Sequence, residues 1–239
     1  MRRRPRQRIA IWGAGGHGRV VLDVLRCCNH NEVVCFVDDD PNLSGGRVMS
    51  LPVVLPRDVI ARARAMGVDA VIPAIGTNAV RWSKFAKILD AELDVPQAIH
   101  PTVEISRTIS FLGRGIQAMA GVIINTGATV GDNVILNTRS LIEHDCVVED
   151  HCFIGPGTVL GGAVHVGRGA FLGIGTMVKP GVHIGDGTMT GVGAVVVNDL
   201  PPGVLAVGVP ARPVRDLLLP SLVLLAEETR ERRVGQLVA

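Results

Sequence analysis

Branched aliphatic residues recur at every sixth position through much of the C-terminal half of the chain. Twelve of thirteen consecutive sixth positions hold such a residue, and none is charged. These positions are Ile124, Val130, Leu136, Ile142, Val148, Ile154, Leu160, Val166, Leu172, Val178, Ile184, Thr190 and Val196. An α-helix would repeat its apolar residues at about 3.6 positions and an ordinary strand at about 2. A period of six instead predicts a parallel β-helix from about Ile124 to Val196.

In such a fold three hexapeptides make one triangular coil, and residues three repeats apart stack on each other. The fourth residue after each aliphatic is also small or apolar, which suits a second interior position. This second set comprises Ala128, Val134, Ser140, Cys146, Cys152, Thr158, Val164, Ala170, Thr176, Val182, Thr188 and Ala194. Between Ile109 and Ile124 the pattern breaks its register, so an enlarged first turn is expected there.

A different pattern opens the chain. An apolar run at residues 8–12 predicts a strand, a glycine-rich stretch follows at residues 13–18, and Arg19 to Leu25 have helical spacing. A second strand at Val33 to Val37 ends in three aspartates, about twenty residues after the last glycine. Glycines allow close backbone approach, a helix N-terminus favours phosphate, and the acid can bind a ribose hydroxyl. The motif therefore indicates a phosphate-bearing ligand, although a tight turn that merely needs glycine would look the same.

The length of this N-terminal region limits the kind of ligand that it can bind. A third strand is predicted at Ala70 to Ile75, followed by Gly76 and a helix from about Ala79 to Leu89. Only about 95 residues precede the β-helix, too few for both halves of a full Rossmann domain. A half-Rossmann domain suits a nucleotide or nucleotide sugar better than a whole dinucleotide.

The sequence thus predicts a Rossmann-like nucleotide-sugar domain at 1–98, a β-helix domain at 99–213 and a C-terminal extension at 214–239. The extension is predicted to be helical, with Leu217 to Leu225 and Glu227 to Arg233 as one or two helices.

Composition agrees with thin, regular coils. Hydrophobic residues make up 47% of the chain, aromatic residues only 3%, and tyrosine is absent. A formal net charge of +2 points to no particular partner, and the arginine-rich start is interpreted as a solvated arm rather than a nucleic-acid site. No signal peptide or membrane-spanning apolar stretch is found, and the cysteines form no C-x-x-C pair. A cytoplasmic protein without membrane or nucleic-acid partners is expected.

His144 is the best candidate for acid–base chemistry. It lies two positions after Ile142, hence at a corner of the coil, and Glu143 and Asp145 flank it. A carboxylate beside an imidazole stabilises the imidazolium, which general-base catalysis uses. His165 and His183 are expected to stack on adjacent coils facing solvent, and His151 to lie in a surface turn. No histidine cluster has the ligand number of a zinc site, so no metal is expected.

These motifs together resemble a known family. The opening from Gly13 to Leu25 reads GxGGHGxVVxDxL, the second strand ends in DDD, and ILNTxSxIEHDC lies within the hexapeptides. The combination is similar to bacterial sugar O- and N-acyltransferases: the sialic acid O-acetyltransferase group and the N-acetyltransferases of nucleotide 4-amino sugars, of the bacillosamine and perosamine type. The similarity covers roughly residues 8–215 and implies a left-handed β-helix and a homotrimer. General crossover rules alone would have predicted a right-handed coil.

The resemblance also implies roles for particular residues. It makes His144 the catalytic base, Asp145 its paired acid, and acetyl-CoA the acyl donor. The expected nucleotide-sugar contacts are Gly13, Gly15, Gly16, His17, Asp38, Asp39, Gly76 and Asn137. The expected acetyl-CoA contacts are Gly162, whose N–H would bind the oxyanion, together with Ile174, Lys179, Gly208, Pro210 and Arg212. One departure is Phe153, which stands where relatives often carry a second histidine.

The function predicted from these residues is N-acetylation of a nucleotide-linked 4-amino sugar. His144 would take the proton while the amine attacks the thioester directly, without a covalent acyl-enzyme. O-acetylation of a sialic acid or similar sugar is the alternative within enzymes. From other classes, a trimeric scaffold with a nucleotide-sensing domain and a nicotinamide oxidoreductase remain, the latter supported by the glycine loop alone. His17 is left open between a ligand contact and a structural role.

Overall fold

The computed structural model describes residues 7–28, 31–63 and 65–217. The first unit is a five-stranded sheet with helices on both faces. Its strands are β1 (Arg8–Trp12), β2 (Glu32–Val37), β3 (Arg47–Val48), β4 (Leu51–Val54) and β5 (Ala70–Pro73), and its helices are α1 (Gly16–Cys27), α2 (Pro56–Arg62) and α3 (Asn78–Asp90). The strand order is β3-β4-β2-β1-β5, and all neighbours are parallel except β3 and β4. The half-Rossmann prediction is confirmed.

Side chains point alternately to the two sides of each strand, and apolar residues occupy both sides of this sheet. Ile9, Ile11 and Ile72 pack on one side against α1, while Ala10 and Val71 pack on the other side against α3. Helix α1 begins at Gly16, three residues earlier than the helical spacing predicted, so part of the glycine stretch forms its first turn. The carboxyl ends of β1, β2 and β5 therefore meet at one edge, which is where open α/β sheets bind ligands.

The second unit is a left-handed parallel β-helix. Its strands, mostly of two residues, are β6 (Ala98–Ile99), β7 (Glu104–Ile105), β8 (Phe111–Leu112), β9 (Gln117–Ala118), β10 (Ile123–Ile124), β11 (Thr129–Val130), β12 (Ile135–Leu136), β13 (Leu141–Ile142), β14 (Val147–Val148), β15 (Phe153–Ile154), β16 (Val159–Leu160), β17 (His165–Val166), β18 (Phe171–Leu172), β19 (Met177–Val178), β20 (His183–Ile184), β21 (Met189–Thr190), β22 (Val195–Val196), β23 (Val204–Gly208) and β24 (Ala211–Asp216).

The coil has three faces, which we number in chain order. Face 1 contains β7, β10, β13, β16, β19 and β22; face 2 contains β8, β11, β14, β17 and β20; face 3 contains β6, β9, β12, β15, β18, β21, β23 and β24. The corners between them are named 1–2, 2–3 and 3–1. Both predicted interior series are buried in one continuous core, as the six-residue repeat requires.

Each corner turns through a residue with left-handed backbone. Glycine fills many of these positions, but Asn133, Asp145 and His151 also adopt positive φ, at 57°, 59° and 64°. Asparagine and aspartate tolerate this region better than other residues with a side chain. The sharp corner is what keeps side chains such as that of His144 outside the coil.

The predicted break between Ile109 and Ile124 is wrong. Leu112 and Ala118 keep the six-residue register, and both pack in the interior. The one irregularity lies earlier, where Ile105 and Leu112 are seven positions apart, so a single extra residue is accommodated. The β-helix already begins at Ala98, because the small Ala118 stacks beside Ile99 and continues the core.

The last two strands form an antiparallel hairpin on face 3. Strand β24 continues to Asp216, three residues past the expected boundary at 213. The helices predicted from Leu217 onward lie outside the described residues, apart from Leu217 itself, which is not helical. Within the described ranges, no helix has both the length and the apolar character to cross a membrane.

Candidate active site on a corner of the β-helix

His144 projects from corner 1–2, between β13 and β14. Its Nδ1 lies 2.9 Å from Asp145 Oδ2, and both side chains are more than half exposed, at 57% and 67%. Because a carboxylate only accepts, the proton of neutral His144 is assigned to Nδ1, which leaves the Nε2 lone pair facing outward. The hydrogen bond that His144 donates to Asp145 raises the pKa of His144. The geometry of this pair is that of an imidazole oriented by a neighbouring carboxylate.

Gly162 lies one coil above His144 in the same corner. A Cβ atom at this position would approach His144 Nε2 to 2.4 Å, so glycine leaves the space that the imidazole needs. The main-chain hydrogen bond here runs from Ala163 N–H to His144 O and leaves the Gly162 N–H out of the ladder. An N–H beside the base suits a developing oxyanion.

The residues expected to contact acetyl-CoA divide between two corners. Gly162 and Lys179 belong to corner 1–2, whereas Ile174 lies in corner 3–1 with its side chain 54% exposed. The turn from Gly208 to Arg212 closes the β23–β24 hairpin at the same side, since Val207 packs over Gly191 of corner 3–1. Asn137 also lies in corner 3–1, where its Nδ2 donates to Ile154 O at 3.2 Å. Within one chain, Asn137 and His144 are therefore not brought together.

The glycines of the first unit fall into two groups. A Cβ on Gly18 would lie 1.8 Å from Gly13 O, and a Cβ on Gly13 would lie 2.6 Å from Ala74 O, so these two serve close backbone packing. Gly13 also has a φ of +121°, a conformation that L side chains rarely adopt. In contrast, a Cβ on Gly15, Gly16 or Gly76 would meet no atom within 4 Å. The last three face open space at the ligand edge of the sheet.

The aspartates after β2 have different partners. Asp38 Oδ2 accepts the Ala14 N–H at 2.8 Å, which ties the end of β2 to the glycine loop. Asp39 accepts from Trp12 Nε1 at 3.0 Å and from Lys84 Nζ at 2.7 Å. Burial alone would raise the pKa of Asp39, but the hydrogen bonds from Lys84 and Trp12 outweigh it and lower that pKa. Both carboxylates are therefore held as hydrogen-bond acceptors at the ligand edge of the sheet.

His17 joins the glycine loop to the β-helix. Its Nε2 lies 2.8 Å from Gln117 Oε1, and Gln117 Nε2 donates to Pro73 O at 2.9 Å, so the imidazole must donate at Nε2. Burial lowers the pKa of His17. A neutral imidazole whose Nε2–H is already bonded is a bridge between the two units, which favours the structural role for His17.

Three further histidines were assigned to the surface, and one assignment is wrong. His151 is only 3% exposed: its ring stacks on Trp82 at 4.1 Å, and its Nδ1 lies 2.8 Å from Asn133 Nδ2. It is buried because α3 packs on corner 2–3, which the repeat alone could not reveal. His165 and His183 do stack on adjacent coils, with ring centroids 4.5 Å apart. No group of three metal-binding side chains occurs among the residues that the structure describes.

Sequence reasoning missed several residues around the loops of the first sheet. Gln117, Trp12, Lys84 and Arg81 all hold the loops at the ligand edge, yet none belongs to a recognisable motif. Phe153, at the position of the expected second histidine, stacks on Phe171 with ring centroids 4.3 Å apart and planes 5° apart. Face 3 therefore presents a stacked pair of phenyl rings at this position, and not a second imidazole.

The fold joins a glycine-rich loop to a β-helix that carries a histidine–aspartate pair. This combination defines an acyltransferase of the hexapeptide-repeat class. Residues 8–88 match the PglD N-terminal domain, and residues 127–162 match the bacterial transferase hexapeptide with six repeats.

Solved structures agree over most of the chain. PerB from Caulobacter crescentus, in complex with CoA and GDP-perosamine, is 40% identical over 87% of this chain and 97% of its own, with a TM-score of 0.81. The acetyltransferase domain of PglB from Neisseria gonorrhoeae, in complex with acetyl coenzyme A, is 29% identical over 87% of this chain and all of its own, with a TM-score of 0.81. WeeI from Acinetobacter baumannii is 26% identical over the same shares, with a TM-score of 0.78.

This chain belongs to the family of bacterial sugar N-acetyltransferases that includes perosamine N-acetyltransferase, and it is an acetyl-CoA-dependent acyltransferase.

Proposed function

We propose that the protein N-acetylates the 4-amino group of a nucleotide-linked deoxy sugar, with GDP-perosamine as the best candidate acceptor. The observation that carries this proposal is the His144–Asp145 pair, whose free Nε2 lies beside Gly162 on an exposed corner. The 40% identity to a perosamine N-acetyltransferase supports the choice of acceptor. Steady-state acetyl transfer to GDP-, UDP- and dTDP-4-amino sugars tests it, and equal or faster acetylation of a sugar hydroxyl would contradict it.

The geometry supports direct transfer. The neutral amine attacks the thioester carbon, the carbonyl oxygen becomes an oxyanion near the Gly162 N–H, and the C–S bond then breaks. His144 Nε2 takes the proton from the attacking nitrogen and passes it to the departing thiolate of CoA. Asp145 keeps the imidazole in the required tautomer and stabilises its cationic form. Each step uses a group already placed at corner 1–2.

The active site is proposed to lie between two copies of the chain. The first unit packs on face 3, where the outward-facing Gln117 and Ile135 are fully buried, whereas His144 lies at the corner opposite that face. A nucleotide sugar held by the loops of one chain is thus directed away from the base of the same chain. The outward residues of face 1 form an apolar ladder of Ile123, Leu141, Val159, Met177 and Val195, which favours burial in a homotrimer.

Mixed trimers test the shared site. Mixing His144→Ala chains with Gly16→Val chains is expected to restore activity, because some interfaces then pair an intact nucleotide site with an intact base. For random assembly of equal amounts, about one quarter of the sites in a cyclic trimer are intact. The measurement is acetyl transfer after joint refolding or co-expression. Activity that stays at the level of the two separate variants, although mass spectrometry detects mixed trimers, would place the whole site within one chain.

Gly16→Val tests the nucleotide loop itself. Since a Cβ at Gly16 would meet no protein atom within 4 Å, the substitution should leave the fold intact and obstruct only a ligand that approaches the backbone closely. We expect the KM for the nucleotide sugar to rise by about 10- to 100-fold, with the KM for acetyl-CoA within about twofold of wild type. Asp23→Val, an exposed position on the same helix, is the matched control. Equal losses for both substrates would mean that the loop is structural.

A further inference from the structure

Helix α3 runs along corner 2–3 of the β-helix, across four successive coils. Asn78, in its first turn, donates from Nδ2 to Gly169 O at 2.9 Å. Trp82 stacks on His151, one coil lower, and Phe85 lies beside Gly115 at the bottom of the same corner. The helix is thus antiparallel to the direction in which the coils advance, and its N-terminus follows the Gly76 loop directly. The Gly76 loop therefore lies near the upper end of this contact, whereas Phe85 lies at its lower end.

Arg81 is the centre of this contact and is fully buried. Its guanidinium donates to carbonyl oxygens of three separate segments. Within its own unit, Nη1 reaches Ile75 O at 3.0 Å and Gly76 O at 3.4 Å. In the β-helix, Nε reaches Asn133 O at 3.3 Å, and Nη2 reaches His151 O at 2.7 Å and Cys152 O at 3.2 Å. The five hydrogen bonds match the five N–H donors of an arginine.

A contribution to folding stability does not by itself account for the burial of the Arg81 guanidinium. Burial lowers the pKa of Arg81 to about 9, because the charge has lost its water. No carboxylate accepts from this guanidinium within the described part of the chain. Well-packed apolar side chains often replace buried ionic groups at no loss of stability. What an apolar side chain lacks is the fork of directed donors that links three backbone segments.

The linked loop is one of the two that frame the ligand edge of the first sheet. Gly76 directly follows β5, and a side chain there would enter open space, as at Gly15 and Gly16. The charge of Arg81 also reaches the other loop, since it contributes to lowering the pKa of His17. A fixed positive charge behind both loops favours a bound diphosphate.

We propose that Arg81 is the positioning residue of the nucleotide-sugar site. It fixes the Gly76 loop to corner 2–3, so that the site is preformed and holds the sugar at a set height along the β-helix. Arg81 contacts neither the sugar nor the acyl donor itself. This inference rests on the proposed function, because it requires that the nucleotide sugar binds at these loops.

Two variants of Arg81 separate its hydrogen-bonding geometry from its charge. Arg81→Met removes both, while Arg81→Lys keeps a charge on three donors that cannot span three segments. For both variants we expect the KM for the nucleotide sugar to rise by about 10- to 100-fold, with the KM for acetyl-CoA within about twofold of wild type. Phe85→Leu is the matched control: it disturbs the same docking of α3 and should lower the Tm without changing the nucleotide-sugar KM.

The outcomes discriminate clearly. If folded Arg81→Met or Arg81→Lys protein keeps a nucleotide-sugar KM within about threefold of wild type, the positioning role is wrong. The same conclusion follows if Phe85→Leu raises that KM as much as the Arg81 variants do, because loss of docking alone would then explain the effect. Failure of the wild-type protein to bind any of the GDP-, UDP- and dTDP-4-amino sugars by calorimetry would instead refute the proposed function.

Crystal structures of the wild-type protein cover the case in which no Arg81 variant folds. A preformed loop predicts that the main chain of residues 75–78 occupies the same position with and without GDP-perosamine. It also predicts that the carbonyl groups of Ile75 and Gly76 remain bonded to Arg81 in both structures. If these residues shift, or bond to Arg81 only when the nucleotide sugar is bound, the loop is ordered by the ligand and not by Arg81.

Discussion

Replacing His144 by alanine is expected to lower the rate of acetyl transfer by about 10²- to 10⁴-fold while leaving the fold intact. The side chain is 57% exposed on a corner and fills no part of the coil interior, so its removal creates no cavity. Steady-state kinetics with GDP-perosamine and acetyl-CoA measures the loss, and circular dichroism with sedimentation analysis checks fold and assembly. His183→Ala, which removes another exposed histidine of the β-helix, is the matched control. A rate within about threefold of wild type would refute the general-base role.

The pH dependence of the rate is a second test of the general-base role of His144. The hydrogen bond that His144 donates to Asp145 raises the pKa of His144, and a base works only in its deprotonated form. The rate should therefore rise with pH through an apparent pKa above about 6.5, the ordinary value for histidine. Asp145→Asn removes the negative partner, so the inflection should move to lower pH, with a smaller loss of rate than His144→Ala shows. An unchanged inflection in Asp145→Asn would mean that another group controls the profile.

Gly162→Ala should be nearly as damaging as loss of the base, although it adds only a methyl group. The new Cβ would lie 2.4 Å from His144 Nε2, so the imidazole must leave the position in which it receives the proton. Misplacement of a reacting group by about 1 Å can cost about 10²-fold in rate. We expect kcat to fall by about that factor, while the Tm changes little because an exposed imidazole can rotate away.

A double variant shows whether the methyl group acts through the imidazole. In the His144→Ala background the added Cβ has room, so Gly162→Ala should lower the residual rate by less than about threefold. Full additivity of the two losses would show that Gly162→Ala acts on something other than His144, such as the approach of the acyl donor. Acetyl-CoA binding by calorimetry, measured in both backgrounds, distinguishes these cases.

The β-helix could be predicted from the sequence because its rule is local and repeated. Each coil needs the same interior residues at the same spacing, so a dozen weak signals such as Val148 and Cys152 add to one strong pattern. The same periodicity predicts that His144 lies outside the coil. It misjudged the stretch around Ala118, where a small interior residue gives little apolar signal of its own.

The first unit was predicted in outline for a similar reason. The apolar run of β1, the glycines and the aspartates after β2 are adjacent in sequence and suffice to indicate a ligand edge. The short hairpin of β3 and β4 and the helix α2 were not predicted, because their apolar runs are only a few residues long. Nor could the motif separate Gly13 and Gly18, which serve packing, from Gly15 and Gly16, which face open space.

The seam between the two units was decided by tertiary structure alone. His151, Arg81 and Gln117 become buried only because α3 and the glycine loop pack on the β-helix. Their hydrogen bonds between the two units join residues 44 to 100 positions apart in sequence. The position of His144 opposite the face that carries the first unit is decided at the same level. A repeat specifies which side of a coil each residue faces, since that depends on near neighbours. It cannot specify which outward face another unit covers, because that depends on the shape of both surfaces once they are folded.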